Sequence, residues 1–302
     1  MVTSKEPEAF VFSMLTAQDD SQLPFLLSRY ISIFAYDSEE YGAVLAFNNN
    51  YEDYYFSQCG KLVLAWVRLP NCAAGNGVAP NTIKTLLDDN QYVLGVWNKQ
   101  YIKDTPAYCK NYCKADFMLY GYDQEDFYSV GWRDGFKTFI VKRDELEKAL
   151  YLRDLDINMF WGTVLLDAGL GFDINNVKKE LREFINADKL NNDGYAFGYK
   201  SIEYLAKDLV RRKKDLSCYR ELAFIWEYTR LMRIRIEYMK NTGLPINQDM
   251  CEKAYIIERN TRELFECNPH TDIQHIFKRL MDTSAGECFL AEKLLSTLNE
   301  VN

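Results

Sequence analysis

The rhythm of apolar and polar positions changes near residue 155. Before that point apolar residues come in short runs. Residues 31–36 (Ile-Ser-Ile-Phe-Ala-Tyr) and 43–47 are two of them, separated by the acidic turn Asp37-Ser38-Glu39-Glu40. Runs this short fit either a strand or a short buried helix. Residues 62–69 read as a strand that Pro70 stops, and the Gly-, Ala- and Asn-rich stretch 71–80 reads as a loop. Asn81 is placed to cap a short helix carrying Ile83, Leu86 and Leu87 on one face. Strands are then predicted over 92–97, 116–122, 127–132 and 136–141, with hairpin-like links at 123–126 and 133–135, and a helix over 144–150. Short links between successive strands imply an antiparallel sheet.

Beyond residue 155 the spacing becomes helical. Val177, Leu181, Phe184 and Ile185 share a face, as do Ile202, Leu205 and Leu209. The longest predicted helix covers 217–240, with a seam of Leu222, Ile225, Thr229, Met232, Ile236 and Met239, and Gly243-Leu244-Pro245 ends it. Further helices are predicted over 249–266, 271–281 and 286–298. The pattern therefore predicts an α+β chain, with an antiparallel sheet in 1–155 and an α-helical domain in 156–302.

Composition narrows the function classes. The 302 residues suit one large domain or two ordinary ones, and 48% hydrophobic residues suffice for a core. With 36 Lys+Arg against 44 Asp+Glu, the net charge of −8 argues against nucleic acid as a partner. No run approaches the ~20 apolar residues of a membrane span. The start, MVTSKEPEAF, has no cleavable signal pattern, so a cytoplasmic location is expected. The 8 cysteines contain no Cys-x-x-Cys pair and are expected to be reduced and mostly buried. The 2 histidines, His270 and His275, exclude imidazole chemistry from residues 1–269.

Candidate chemistry is sparse. Cys59, Cys72, Cys109 and Cys113 are the thiols of the first half, but a reactive thiolate needs a nearby cation, imidazole or helix N-terminus. Only Arg68 stands near Cys72 in sequence, so a structural role is the plainer reading. Cys109 and Cys113 with His270 and His275 loosely match a two-Cys, two-His zinc set, but nothing in the spacing joins the halves, and no metal is expected. Gly75-Asn76-Gly77 lacks the lysine and spacing of a phosphate cradle, so no cofactor is expected. The aromatic set Tyr51, Tyr54, Tyr55 and Phe56 reads as core. Asp123, Asp126 and Asp134 suit turns, whereas Asp116 opens a strand and is the carboxylate placed to line a cleft. Arg211-Arg212-Lys213-Lys214 is the strongest basic run. It is a candidate docking site for an acidic partner, against the plainer reading of a solvated helix end.

Residues 92–150 carry one further signal. Tyr101-Ile102, the segment 116–123 (DFMLYGYD), the following strand 127–132 and the closing helix 144–150 resemble the butirosin biosynthesis protein H N-terminal domain family. That family is related to papain-like cysteine peptidases of the bacteriocin-leader-processing type. The tail Glu227-Tyr228-Thr229-Arg230-Leu231-Met232, followed by Arg235-Ile236, is similar to relatives found beside nonribosomal and thiotemplated assembly lines. The resemblance implies a papain-like fold over 1–155, Cys-His-Asp acyl transfer, and an acyl or peptidyl carrier protein or biosynthetic enzyme as partner. It also shows departures. The family's histidine falls on Ala115 and its orienting aspartate near Gly131, with Asp134 three residues on. No cysteine precedes Cys59; Ser28, Tyr30 and Ser32 stand near the nucleophile's place. The expectation is a non-catalytic or remodelled relative acting as a binding or accessory protein. The alternative is an active acyltransferase or amide-forming enzyme that pairs Cys59 or Cys72 with His270 or His275.

Overall fold

The computed structural model describes residues 23–38, 42–48, 62–70, 77–103, 105, 107–110, 112–132, 136–150, 157–165, 171–187, 194–212, 219–266 and 272–301. Over 62–70 and 157–165 only the backbone is described. The described residues divide into two compact units, one drawn from 50–168 and the other from 19–49 together with 169–302.

The first unit is a six-stranded antiparallel sheet in the order β3-β8-β4-β5-β6-β7. Its strands are β3 (Leu62–Pro70), β4 (Gln91–Asn98), β5 (Lys114–Asp123), β6 (Asp126–Trp132), β7 (Phe136–Lys142) and β8 (Ile157–Leu165). Val93, Trp97, Phe117, Leu119, Phe127, Phe139 and Val141 fall on one face by two-residue alternation. Two helices, numbered below as α2 (Val78–Asp88) and α3 (Arg143–Ala149), cover that face with Ile83 and with Leu146 and Ala149. The centre is aromatic. Trp97 stacks on Phe117 at 4.6 Å, Phe139 meets Phe117 edge-on at 5.4 Å, and Trp97 Nε1 donates to the Phe117 carbonyl at 3.0 Å. The buried indole thus keeps the hydrogen bond that its N–H requires.

The α2 helix begins at Val78, earlier than the Asn81 cap expected from the sequence. Gly77 caps it in the left-handed conformation at φ 67, and its N–H donates to Glu147 Oε1 at 2.6 Å. Asn81 instead accepts from Arg143 Nη2 at 2.8 Å, tying α2 to α3. Glycine is the residue that takes this backbone conformation without strain.

Gly131 has a packing reason. It sits opposite Phe117 in the β5–β6 register, and a Cβ there would lie 2.7 Å from Phe117 Cβ and 3.2 Å from the Asp116 carbonyl oxygen. Gly131→Ala is expected to cost about 1–3 kcal/mol by overpacking. Nothing lies within 4 Å of the equivalent position at Gly171. Urea denaturation of both alanine variants checks this, and an equal loss at the two sites would contradict it.

The second unit contains α1 (Leu23–Leu27), β1 (Ile33–Ser38), β2 (Gly42–Phe47), α4 (Ile174–Ile185), β9 (Tyr195–Phe197), α5 (Tyr199–Arg212), α6 (Tyr219–Asn241), α7 (Gln248–Phe265) and α8 (Ile273–Asn299). Its strands form a three-stranded sheet, β2-β1-β9. The ambiguous runs at 31–36 and 43–47 are therefore an antiparallel pair, joined in register from Ile33↔Phe47 to Ser38↔Gly42. Helix α6 is buried on more than one face. Beyond the predicted seam, Phe224, Tyr228, Leu231 and Arg235 are also buried, as expected of a helix enclosed on most sides.

The division differs from the expected boundary at 155. Strands β1 and β2 belong with the helices, and residues 157–165, expected to be helical-domain sequence, form β8 of the larger sheet. The physical reason is pairing. Strand β8 runs between β3 and β4 and supplies the hydrogen-bonding neighbour that β4 needs on the side away from β5. The expected helices at 271–281 and 286–298 are one continuous helix, α8. Its polar interruption is absorbed. Thr283 Oγ1 donates to the Arg279 carbonyl at 2.9 Å and Ser284 Oγ to the Tyr199 carbonyl at 2.9 Å. Gly286 lets Ile257 of α7 approach closely, since a Cβ there would lie 2.9 Å from its Cδ1.

Candidate functional site

In the sheet unit, the positions that the family resemblance assigns to a histidine and an aspartate are Ala115, paired with Trp97, and Gly131, paired with Phe117. The ring stack of Trp97 and Phe117 and the crowding at Gly131 leave that strand pair without an acid or base on its helix-covered face. Asp116 is half-buried and, by alternation along β5, on the opposite face from Phe117. Cys109 is exposed in the left-handed conformation (φ 55), and Cys113 is half-buried. Cys251 and Cys288 are also half-buried, so the described cysteines are less enclosed than expected from the sequence.

The remaining sequence candidates are scattered. His275 is exposed in the first turn of α8, in the helical unit rather than the unit of Cys109 and Cys113. Among the described residues no group of three or more His, Cys, Asp or Glu is arranged to hold a metal ion. Cys59, Cys72, His270, Lys213 and Lys214 lie outside the described residues. Among the described residues, no helix is long and apolar enough to cross a membrane.

Arg211 and Arg212 are ion-paired within the chain, Arg211 on an exposed and Arg212 on a half-buried side chain. Both bind Asp208, Arg211 Nη2 at 2.7 Å and Arg212 Nε at 2.8 Å, and both pair with Asp37 of β1. Burial pushes the Asp208 carboxyl up, but the Ala43 N–H at 2.9 Å and the two guanidiniums outweigh it and hold Asp208 below the usual carboxylate range. Glu221 of α6 accepts in the same way from the Leu45 N–H at 2.7 Å. Strand β2 is an edge strand, and these two carboxylates occupy donors that would otherwise invite another strand. Arg211 and Arg212 thus have a structural role in bracing β1 and α5, while the Arg211 side chain stays 61% exposed.

The most unusual chemistry lies at buried positions of the helical unit: Tyr228 and Arg235 of the tail segment quoted above, and Glu287, which carries no motif. Arg235 of α6 is fully buried. Its Nε donates to the Leu27 carbonyl at 2.6 Å, Nη2 to the Arg29 carbonyl at 2.5 Å, and Nη1 contacts Met232 Sδ at 2.8 Å. Glu180 of α4 takes the next donors of the same segment, from the Ile31 N–H at 2.8 Å and the Ser32 N–H at 3.3 Å, and also accepts from Asn176 at 2.8 Å. One cation and one anion from two helices therefore fix residues 27–32 through the left-handed bend at Tyr30 (φ 63). Burial pushes Arg235 down to about 10, so it stays charged through the neutral range.

Glu287 of α8 has no such role. It is 1% exposed, and neither carboxyl oxygen has a hydrogen-bond partner among the described residues. Burial pushes its carboxyl up to about 8, against the opposing pull of Arg235. Tyr228, fully buried on α6 against Phe184 (5.8 Å) and Phe47 (6.4 Å), likewise has a hydroxyl without a partner. Burial, then the Glu287 charge, raises the Tyr228 phenol. A buried acid that stays neutral at pH 7, beside a phenol and a guanidinium, is a feature that clusters at functional sites.

A sequence signal for Glu287 exists. Leu280, Thr283, Ser284, Glu287, Leu290, Ala291, Leu294 and Leu298 recur at intervals of three and four, which puts Glu287 on the buried face. The period runs unbroken only along one continuous helix over Ile273–Asn299. No protein-family model matches the chain, and comparison with curated proteins finds no match.

Proposed function

We propose that this chain is a non-catalytic or remodelled relative of papain-like acyltransferases, acting as a binding or accessory protein in nonribosomal or thiotemplated metabolite biosynthesis. The family part of this reading rests on the resemblance over residues 92–150. One observation supports loss of the chemistry. The places of the imidazole and its orienting carboxylate hold Ala115 and Gly131, and Gly131 has no room for a Cβ against Phe117. Acyl transfer by a thiol needs a base within hydrogen-bond reach and a group that orients it. Restoring an aspartate at 131 would require Phe117, the middle of the aromatic stack, to move.

On this reading the partner is an acyl or peptidyl carrier protein or a biosynthetic enzyme. The basic run from Arg211 to Lys214 is its candidate docking site, with the exposed Arg211 already held by Asp37 and Asp208. The test is the rate of alkylation by iodoacetamide, resolved by peptide mapping at neutral pH. Every thiol, Cys59 and Cys72 included, is expected to react no faster than an ordinary cysteine. A thiol reacting about 100-fold faster, as an activated thiolate does, would overturn the proposal and favour a cysteine-dependent acyltransferase.

A further inference from the structure

Strand β7 is an edge of the six-stranded sheet. It pairs with β6 on one side, and among the described residues no strand meets its other side. The ladder fixes which backbone groups face that open side. In an antiparallel pair, residues that bond the neighbouring strand alternate with residues whose N–H and C=O point away from it. The Arg143 N–H donates to the Glu125 carbonyl at 2.9 Å, just beyond the end of the β6–β7 pair. The pairs in step with it, Phe127↔Val141, Ser129↔Phe139 and Gly131↔Lys137, are therefore the bonded ones. Thr138, Ile140 and Lys142 turn their backbone groups outward. The Lys142 N–H points the same way, since it donates to Glu145 Oε2 of α3 at 3.4 Å. Thr138 and Ile140 each present a donor and an acceptor along the open edge.

An apolar row on the outer face of the sheet runs to this edge. Tyr128 stands opposite Ile140 in the register, and its ring lies 6.2 Å from that of Tyr120 on β5. Tyr120 is 41% exposed, Ile140 is 52% exposed and Tyr128 is half-buried. A strand added beside β7 would place a side chain opposite Ile140 on this same face and lengthen the row. The edge strand β2 of the smaller sheet differs, because Asp208 and Glu221 occupy its Ala43 and Leu45 N–H groups.

Charge selects the occupant. Residues 136–143 contain Lys137, Lys142 and Arg143 and no carboxylate. Lys137 and Lys142 are exposed, and Lys142 is braced by Asp126 of β6 at 2.5 Å. A second copy of β7 would set this cationic strand against itself, and like charges across a strand pair are destabilising. A segment with carboxylates on either side of an apolar residue is the complement. We propose that the open edge of β7 takes an extended acidic peptide segment as an added strand. Backbone hydrogen bonds to Thr138 and Ile140 hold it, its apolar side chain joins the Tyr120–Tyr128–Ile140 row, and its carboxylates lie near Lys137 and Lys142. This goes beyond the binding or accessory reading and does not depend on it.

Amide exchange of the full chain, followed by NMR, tests the edge. The probe is a capped peptide of alternating valine and threonine with a glutamate at each end. In the free protein the Thr138 and Ile140 N–H groups should exchange fast, and those of Phe139 and Val141 slowly. Near saturation the probe should slow Thr138 and Ile140 about 10-fold or more. The same peptide ending in lysines should bind about 10-fold more weakly. Thr138→Pro removes an outward donor and should abolish the effect while Phe139 and Val141 stay protected, since proline is tolerated where the missing N–H faces away from the ladder. Lys137→Glu, which leaves the backbone untouched, should narrow the preference between the two peptides. No slowing at Thr138 and Ile140 with the glutamate peptide, or equal slowing by both peptides, would overturn the proposal. Slowing that appears without peptide as protein concentration rises would also overturn it, in favour of a second copy.

Discussion

Glu287→Gln is expected to stabilise the protein in neutral and mildly alkaline solution, an unusual result for a fully buried position. The folded carboxyl sits at about 8, raised by burial from an ordinary value of 4.5. A raised carboxyl favours the folded state only while protonated. The stability it allows is fully present below pH 4.5 and is lost as pH rises through the window from 4.5 to about 8. A shift of this size corresponds to about 4–5 kcal/mol at the alkaline plateau, and to about 3 kcal/mol at pH 7. Glutamine keeps the shape and the hydrogen-bonding groups but has no proton to lose, so the variant should hold its stability across that window. Urea denaturation of both proteins at several values between pH 5 and pH 9 gives the answer. The gap should widen with pH. A gap that is flat, or a variant less stable throughout, would mean that Glu287 is ionised and paired in the folded protein.

Arg235→Met has the opposite sign. The arginine donates to the Leu27 and Arg29 carbonyls and is the cation nearest in charge to Glu180. Methionine matches the stem but leaves those carbonyls without their donors and Glu180 without its counter-charge. Removing one partner of a buried charged set costs about 3–5 kcal/mol. Arg235→Lys should recover little, because a single ammonium cannot span two carbonyls as the planar fork does. Amide exchange locates the damage. The Ile31 and Ser32 N–H groups, held by Glu180, should lose protection first. A loss below about 1 kcal/mol, or exchange spread evenly over the unit, would contradict the clamp.

Much of the fold is legible in the sequence where period and turn chemistry agree. The series β5, β6 and β7 follows from alternating aromatic and β-branched residues with short links, and α6 follows from its seam. Antiparallel strands with a helical C-terminal part follow from the same patterns. The domain boundary does not, because it depends on pairing across long sequence separations. Strand β8 meets β3 nearly a hundred residues upstream, and β2 is secured by Asp208 and Glu221 from helices far along the chain. No local pattern encodes such contacts. Arg211 and Arg212 look like a free basic run in sequence, yet their partner Asp37 stands on β1, far away along the chain. The buried acid was hidden for a different reason. A glutamate in an apolar helical face is a conflict between local chemistry and burial, and such conflicts gather where a protein keeps a site.

The central claim, that the chain binds rather than transfers an acyl group, is tested most directly by intact-mass spectrometry after incubation with a carrier-loaded acyl thioester. The account predicts an unchanged protein mass and an intact thioester. A mass gain equal to the acyl group on a cysteine, with the carrier thiol released, would contradict it.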